Sequence, residues 1–375
     1  MTDQRKTQVV VIISNVDKAI GFEWLVEHID RTRFELSFIL LNDRPSYLGR
    51  FLTDIGVRVE ELRFTGKKDI PGLILRTARI LRRWKADVIH THLFGANLIG
   101  QLAGRLARVR KRIYTRHSSN ENRRYHGKQR FDHLVNSMAT QIVAISNNVR
   151  NVLENEEGVP SEKIRLLHHG FDLDRFDAVS REDVAKLASR YNPSNRHPVI
   201  GVIARYSHWK GIQYVIPAFK RLLATHTGAF LILANAKRGD YRNQIATLLS
   251  ELPPDSFREI EFEHDLFALY RLFDVYVHTP IDAELEAFGQ TYVEALAAGI
   301  PSVFTLSGVA PEFIKDRKNA VVVDFENADQ IYEAMVTLLD DDGLRTRLAA
   351  RGKQDVRAMF GIEKMIRRLE EIYGE

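Results

Sequence analysis

The chain reads as an α/β protein of two similarly built parallel-sheet units, and three features of its 375 residues predict this. Short β-rich apolar runs alternate with amphipathic helical segments along the whole length. The central runs, Val9–Ile13 and Phe230–Ala234, are nearly continuous in Val, Ile, Leu and Phe, as strands covered on both faces require. The rhythm breaks at the turn-forming stretch Asn192–Pro198 (NPSNRHP) and then starts again.

The elements follow in order. The polar opening MTDQRKTQ runs into a first strand, Val9–Ile13, and does not have the shape of a signal peptide. Phe34–Leu41, Val57–Leu62, Asp87–Thr91, Arg112–Arg116 and Gln141–Ser146 are the further strands of the first series. Helical periodicity covers Gly21–Ile29, Gly72–Lys85 and Asn97–Ala107 between them. The second series is Val199–Ala204, Phe230–Ala234, Val275–His278, Ser302–Thr305 and Ala320–Val323. The junction falls between His169 and Pro198, and Gly361–Tyr373 is a closing amphipathic helix.

Composition narrows the classes. There is no cysteine, so disulfides, thiolate metal sites and cysteine nucleophiles are excluded, which fits a cytoplasmic protein. No run approaches the roughly 18 apolar residues of a membrane span. The net charge of +5 hides an asymmetry: residues 61–135 hold 18 Lys+Arg against 5 Asp+Glu, a net of +13. A field of that kind attracts phosphate, whether on nucleic acid, anionic lipid or a phosphorylated substrate. Nucleic acid is the disfavoured partner, because few aromatics interleave with the basic residues and no reader motif is visible. The segment Leu73–Lys85 places Leu73, Ile80, Leu81 and Trp84 inward, with Arg76, Arg79, Arg82 and Arg83 outward. For the helix alone that pattern favours a core-packed helix with a basic outer face over a membrane-surface helix.

Two constellations carry chemistry. In GVIARYSHWKGIQYVIPAF (201–219), Arg205 leaves a strand and Lys210 opens the next helix beside Gly211. Two cations across one strand-to-helix turn suit a diphosphate, Arg as a planar fork and Lys as a point charge. Both are expected to tolerate alanine without loss of the fold. In ELEAFGQTYVEALAAGIP (284–301), Glu286 precedes Phe288-Gly289, and a helix starts near Gln290 with Glu294 one turn in. The N–H groups of Gly289, Gln290 and Thr291 would hold a phosphate, with Phe288 beside them in the donor-binding set and Glu286 and Glu294 offered to hydroxyls on either side. A nucleotide sugar has that layout. His90 and His92 share a strand face and His168-His169 adjoin, yet no third ligand stands at a recognisable spacing, so no metal site is expected. Gly-x-Gly-x-x-Gly, Walker and Gly-x-Ser-x-Gly sequences are absent.

With these residues the chain resembles the retaining glycosyltransferases of family 4. Arg205 and Lys210 match that family's diphosphate pair, and Glu286-x7-Glu294 its paired-glutamate signature. DVIHTHLFGANLIG (87–100), RIYTRHS (112–118), IVAISNNVRNVL (142–153) and EKIRLLHHGFDLDRF (162–176) extend the likeness over nearly the whole chain. The resemblance implies the GT-B architecture: two facing Rossmann-like domains, and a C-terminal helix crossing back to the first. The corresponding division is 1–172 on the acceptor side, 173–355 for the nucleotide sugar and 356–375 for the returning helix.

The resemblance further implies that His117 lies near the donor's anomeric centre, that Glu286 meets the sugar hydroxyls and that Glu294 meets the ribose. It implies front-face displacement with no protein nucleophile, no metal and no cofactor beyond the donor. There are departures. The usual glycine-rich loop after the first strand is SNVDKAIGFEW, leaving Gly21 as the candidate for close approach to acceptor or phosphate. The usual Asn-Gly-Val-Asp is His169-Gly170-Phe171-Asp172, and Ala287 replaces the usual glycine after the first signature glutamate. The acceptor expected from the charge is a lipid-linked or otherwise anionic glycan in envelope or exopolysaccharide synthesis, met at the inner membrane face. A soluble small-molecule acceptor, a sugar-nucleotide epimerase on the same fold and a binding protein without turnover are the competing readings.

Overall fold

The computed structural model describes residues 5–120, 129–237 and 239–375. The chain divides into two compact units, Met1–Phe171 with Ile362–Glu375, and Asp172–Gly361.

In the first unit, seven strands lie in the order β3-β2-β1-β4-β5-β6-β7 among the described residues. They are β1 (Thr7–Ser14), β2 (Phe34–Asn42), β3 (Arg58–Arg63), β4 (Val88–His92), β5 (Lys111–Arg116), β6 (Gln141–Ala144) and β7 (Ile164–Leu166), with every pairing parallel. Val9–Ile13 is wholly buried in the central β1, which is why it carries an unbroken apolar run. The helix Phe94–Leu106 starts three residues before the expected Asn97, because Leu93 turns sharply at φ 70° straight off β4. β7 was not anticipated: three residues give no periodicity to detect.

The second unit has six parallel strands in the order β10-β9-β8-β11-β12-β13 among the described residues. They are β8 (Val199–Ile203), β9 (Phe230–Ala234), β10 (Phe257–Ile260), β11 (Val275–His278), β12 (Ser302–Phe304) and β13 (Val321–Val322). The edge strand β10 has the sequence FREI, too polar to stand out as a run. Helix Ile212–Thr225 packs its Ile212, Val215, Ile216, Phe219 and Leu222 into the core under the sheet.

The C-terminal segment divides between the units. Helix Asp342–Phe360 stays with the second, where Arg357 pairs with Asp174 at 2.9 Å and Asp177 at 2.6 Å. Gly361 breaks it with extended backbone, and helix Ile362–Gly374 packs on the first unit. There Lys111 Nζ donates to the Ile372 carbonyl at 2.7 Å, and the Asp30 N–H donates to Glu370 at 2.8 Å. The returning segment thus begins at Ile362, not at 356. The unit boundary itself falls between Phe171 and Asp172.

The basic stretch is spread along the first unit. Leu73, Ile80, Leu81 and Trp84 of helix Ile70–Arg83 are buried, and Arg76, Arg79, Arg82 and Arg83 are exposed. Arg82 donates to the Leu106 carbonyl at 2.5 Å, and Arg83 pairs with Glu60 at 2.9 Å. This helix follows β3 and runs back to β4, so its final arginines lie at the edge opposite the strands' carboxyl ends. Residues 121–128 of the stretch lie outside the described residues.

Candidate functional site

Parallel α/β sheets bind ligands beyond the carboxyl ends of their strands, at the point where strand order reverses. In the second unit that point is β8 beside β11. β8 leads through Arg205 into a short 3-10 turn, His208–Lys210, and then into helix Ile212–Thr225. Gly211 joins them at φ 74°, and a Cβ there would stand 1.8 Å from the Thr279 carbonyl oxygen. The helix start is therefore pressed against the end of β11. Thr279 Oγ1, beside it, is buried with no hydrogen-bond partner among the described residues.

β11 ends in His278, and the loop after it carries Glu286. Lys210 Nζ and Glu286 Oε1 form an ion pair, with side-chain exposures of 14% and 7%. His278 Nε2 lies 3.2 Å from the same oxygen. Burial by itself would raise the Glu286 carboxyl, but the Lys210 ammonium and His278 more than reverse this and hold it at about 2. Glu286 is thus ionised at neutral pH. The pKa of His278 is lowered, burial outweighing the pull of Glu286. Lys210 Nζ also sits 4.2 Å from the centre of the Trp209 ring.

The Glu286 loop is clamped from behind by Ser307–Val309. The Glu286 N–H donates to Ser307 Oγ at 3.3 Å, and the Val309 N–H to the Phe288 carbonyl at 3.0 Å. Phe288 is buried edge-on to Phe360, with ring centres 5.7 Å apart. Its ring anchors the loop. Gly289, at φ 84°, starts helix Gln290–Ala297, and a Cβ there would meet the Tyr292 ring at 2.6 Å. Gln290 is exposed and Thr291 half-buried at this first turn, whose N–H groups lack intrahelical partners. Glu294 is buried on the same helix and accepts from Tyr270 Oη at 2.8 Å. Burial pushes its carboxyl up to about 7, the Tyr270 hydrogen bond opposing. Arg205 is exposed and makes no side-chain hydrogen bond or ion pair among the described residues.

The first unit has its own cluster at the corresponding reversal, β1 beside β4. His117 follows β5, half-buried, with Nε2 at 3.1 Å from His92 Nδ1 at the end of β4. The His169 ring stacks on His117 with centres 5.5 Å apart and planes 11° from parallel. His90 is buried between Tyr373 Oη at 2.8 Å and Thr115 Oγ1 at 2.7 Å. Burial lowers these rings, His90 and His169 to about 3 and His117 to about 4, so all are neutral at pH 7. Beneath His117, the buried Arg116 pairs with Asp132 at 2.8 Å and Glu157 at 2.6 Å. Gly21 is exposed at the start of helix Ile20–His28, with nothing within 4 Å of a Cβ built on it.

Two family models match successive parts of the chain. Residues 4–175 match Glycosyltransferase Family 4, and residues 184–355 match Glycosyl transferases group 1. The chain belongs to glycosyltransferase family 4. An uncharacterised glycosyltransferase of Methanocaldococcus jannaschii is 24% identical to it over 297 residues, 77% of this chain and 75% of that one. A GDP-mannose-dependent monoacylated alpha-(1-6)-phosphatidylinositol monomannoside mannosyltransferase of Corynebacterium glutamicum is 26% identical over 212 residues, 55% of each chain. Among solved structures, Anabaena HepE in complex with UDP and glucose superposes with a TM-score of 0.82 at 18% identity, covering 98% of this chain and 99% of that one. This shared fold is the GT-B architecture of two Rossmann-like domains.

Lys210 and Glu286, singled out separately in the sequence of this glycosyltransferase, are brought to one place by the structure, with Glu294 on the helix that follows. The sequence reading had both glutamates in one motif. It missed His278, Tyr270 and the Ser307–Val309 brace. A histidine ending a buried strand was a usable signal for His278. Nothing local marks Tyr270, whose link to Glu294 is made by packing. The glycosyltransferase also keeps Lys210 paired and largely buried.

Proposed function

We propose that this glycosyltransferase moves a hexosyl group from a nucleotide diphosphate sugar to an acceptor hydroxyl with retention and without a metal ion. The observation that carries the reading is the buried Lys210–Glu286–His278 group at the strand-order reversal of the second sheet. Arg205, Lys210 and the first-turn N–H groups at Gly289–Thr291 supply positive potential for a diphosphate. Glu286, ionised, accepts from sugar hydroxyls, and Glu294 from the ribose. As the bond from the anomeric carbon to the diphosphate oxygen breaks, negative charge grows on the leaving diphosphate and these groups stabilise it. The acceptor oxygen bonds to the same face of that carbon, and its proton passes to the diphosphate. His117 is assigned to the donor sugar.

The acceptor we assign is lipid-linked or otherwise anionic, reached at the inner membrane surface during envelope glycan synthesis. In support, the Corynebacterium relative is named for a phosphatidylinositol-based acceptor, and Arg76, Arg79 and the 50%-exposed Leu75 share the outer side of helix Ile70–Arg83. Juxtamembrane basic residues contribute about 1 kcal/mol each near an anionic surface.

Calorimetry with UDP, GDP and their sugars tests the donor, and NMR of the anomeric proton in the product tests retention. Failure of every nucleotide to bind refutes the site. Incubation with donor alone separates an epimerase, which would release a new sugar nucleotide. Turnover that collapses in chelator and returns with Mg²⁺ or Mn²⁺ overturns the metal-free reading. Flotation with anionic but not neutral liposomes, weakened by salt and by Arg76→Gln/Arg79→Gln, is expected; equal recovery with both removes the membrane surface.

A further inference from the structure

His92 is a buried histidine to which the reading above gives no part. Its ring centre lies 4.2 Å from His90 and 5.4 Å from His117, with Phe22 edge-on at 4.8 Å. Its Nδ1 is 3.1 Å from His117 Nε2. Its Nε2 is buried and has no hydrogen-bond partner among the described residues.

Burial, then the neighbouring histidines, holds the His92 ring well below its ordinary pKa, and His117 is lowered likewise. Each ring therefore carries one proton, and two arrangements satisfy the contact. In the first, His92 Nδ1–H donates to His117 Nε2. His92 Nε2 is then an unused lone pair, and the His117 proton resides on Nδ1. In the second, His117 Nε2–H donates to His92 Nδ1, which forces the His92 proton onto Nε2. That places an N–H in a buried wall with no acceptor. Both arrangements leave His92 Nε2 unpaired, as a lone pair or as an N–H, and of the two an orphaned buried N–H is the rarer in folded proteins.

We propose that His92 is a positioning residue that fixes His117 as the Nδ1–H tautomer. His117 Nε2 is occupied, so Nδ1–H is its remaining ring group. His117 therefore acts as a hydrogen-bond donor to an oxygen of the sugar nucleotide and not as a base that removes the acceptor's proton. This leaves proton removal to the departing diphosphate. The inference rests on the assignment of His117 to the donor sugar.

The test is two-bond 15N correlation NMR on the full chain with labelled histidine. Wild type is expected to show His117 as the Nδ1–H form, and a folded His92→Phe to show both tautomers. His92→Asn, whose amide N–H falls near the position of ring Nδ1, restores the single form. In kinetics, His92→Phe lowers kcat on the order of tenfold, leaves KM for the nucleotide sugar and affinity for the bare nucleoside diphosphate unchanged, and is rescued by His92→Asn. An Nε2–H form of His117 in wild type overturns the proposal. So does an unchanged tautomer in folded His92→Phe, or a tautomer in folded His92→Asn that differs from wild type. Full turnover in His117→Ala would refute the assignment of His117 to the donor, while the NMR result would still decide the tautomer.

Discussion

Replacing Lys210 by alanine takes the ammonium from a carboxylate that is 7% exposed. Glu286 is held at about 2 against 4.5 for the free group, on the order of 3 kcal/mol of native-state stabilisation, to which Lys210 contributes most and His278 the rest. Breaking a buried pair by removing one partner typically costs about 3–5 kcal/mol. Lys210→Ala should therefore lose about 3 kcal/mol at pH 7, contrary to the expectation from sequence that the loop would tolerate it. The pH dependence has a definite sign. The wild-type contribution is complete above about pH 4.5 and is lost as the pH falls toward 2. In the variant, burial pushes the Glu286 carboxyl upward instead, so the protein is weakest near neutrality and recovers as that group takes a proton. The stability gap is thus widest at pH 7 and narrows toward pH 3. Urea unfolding at both values measures it, and Lys210→Met/Glu286→Gln should restore most of the loss at pH 7. A gap under about 0.5 kcal/mol at pH 7, or one equally large at pH 3, would refute the reasoning.

Arg205 is exposed, so Arg205→Ala should keep wild-type stability within about 0.5 kcal/mol while turnover falls on the order of 10²–10³; unaltered kinetics would remove it from the diphosphate site. His117→Ala should lose turnover yet bind nucleoside diphosphate as wild type does, since His117 and the Lys210–Glu286 pair belong to different units; calorimetry showing lost affinity in a folded variant would contradict this. Gly211→Ala should lower stability by at least about 2 kcal/mol, because it combines φ 74° with a Cβ 1.8 Å from a backbone oxygen, and a melting temperature equal to wild type would show that the turn can relax.

The element order, the restart after residue 198 and the two glycine-opened helix starts were legible because each is a local matter. Apolar runs predict strands buried on both faces, and periodicity predicts the helices between them. Where the pattern was too short or too polar, at Ile164–Leu166 and Phe257–Ile260, the sequence was silent. Lys210 and Glu286 could be singled out separately, each beside a glycine at a strand-to-helix turn. Their pairing across 76 residues could not. It depends on β11 lying next to β8, a choice of neighbour made by the sheet as a whole. His92 and His117 meet for the same reason, because β4 and β5 are adjacent and end level with one another. Phe288 is a further case: its place in the motif does not reveal that its ring packs edge-on to Phe360 and anchors the loop. The sequence alone determined which residues could carry charge, turn sharply or line a core. The tertiary structure decided which of them share a buried site, because strand order and packing bring together side chains that no local spacing relates.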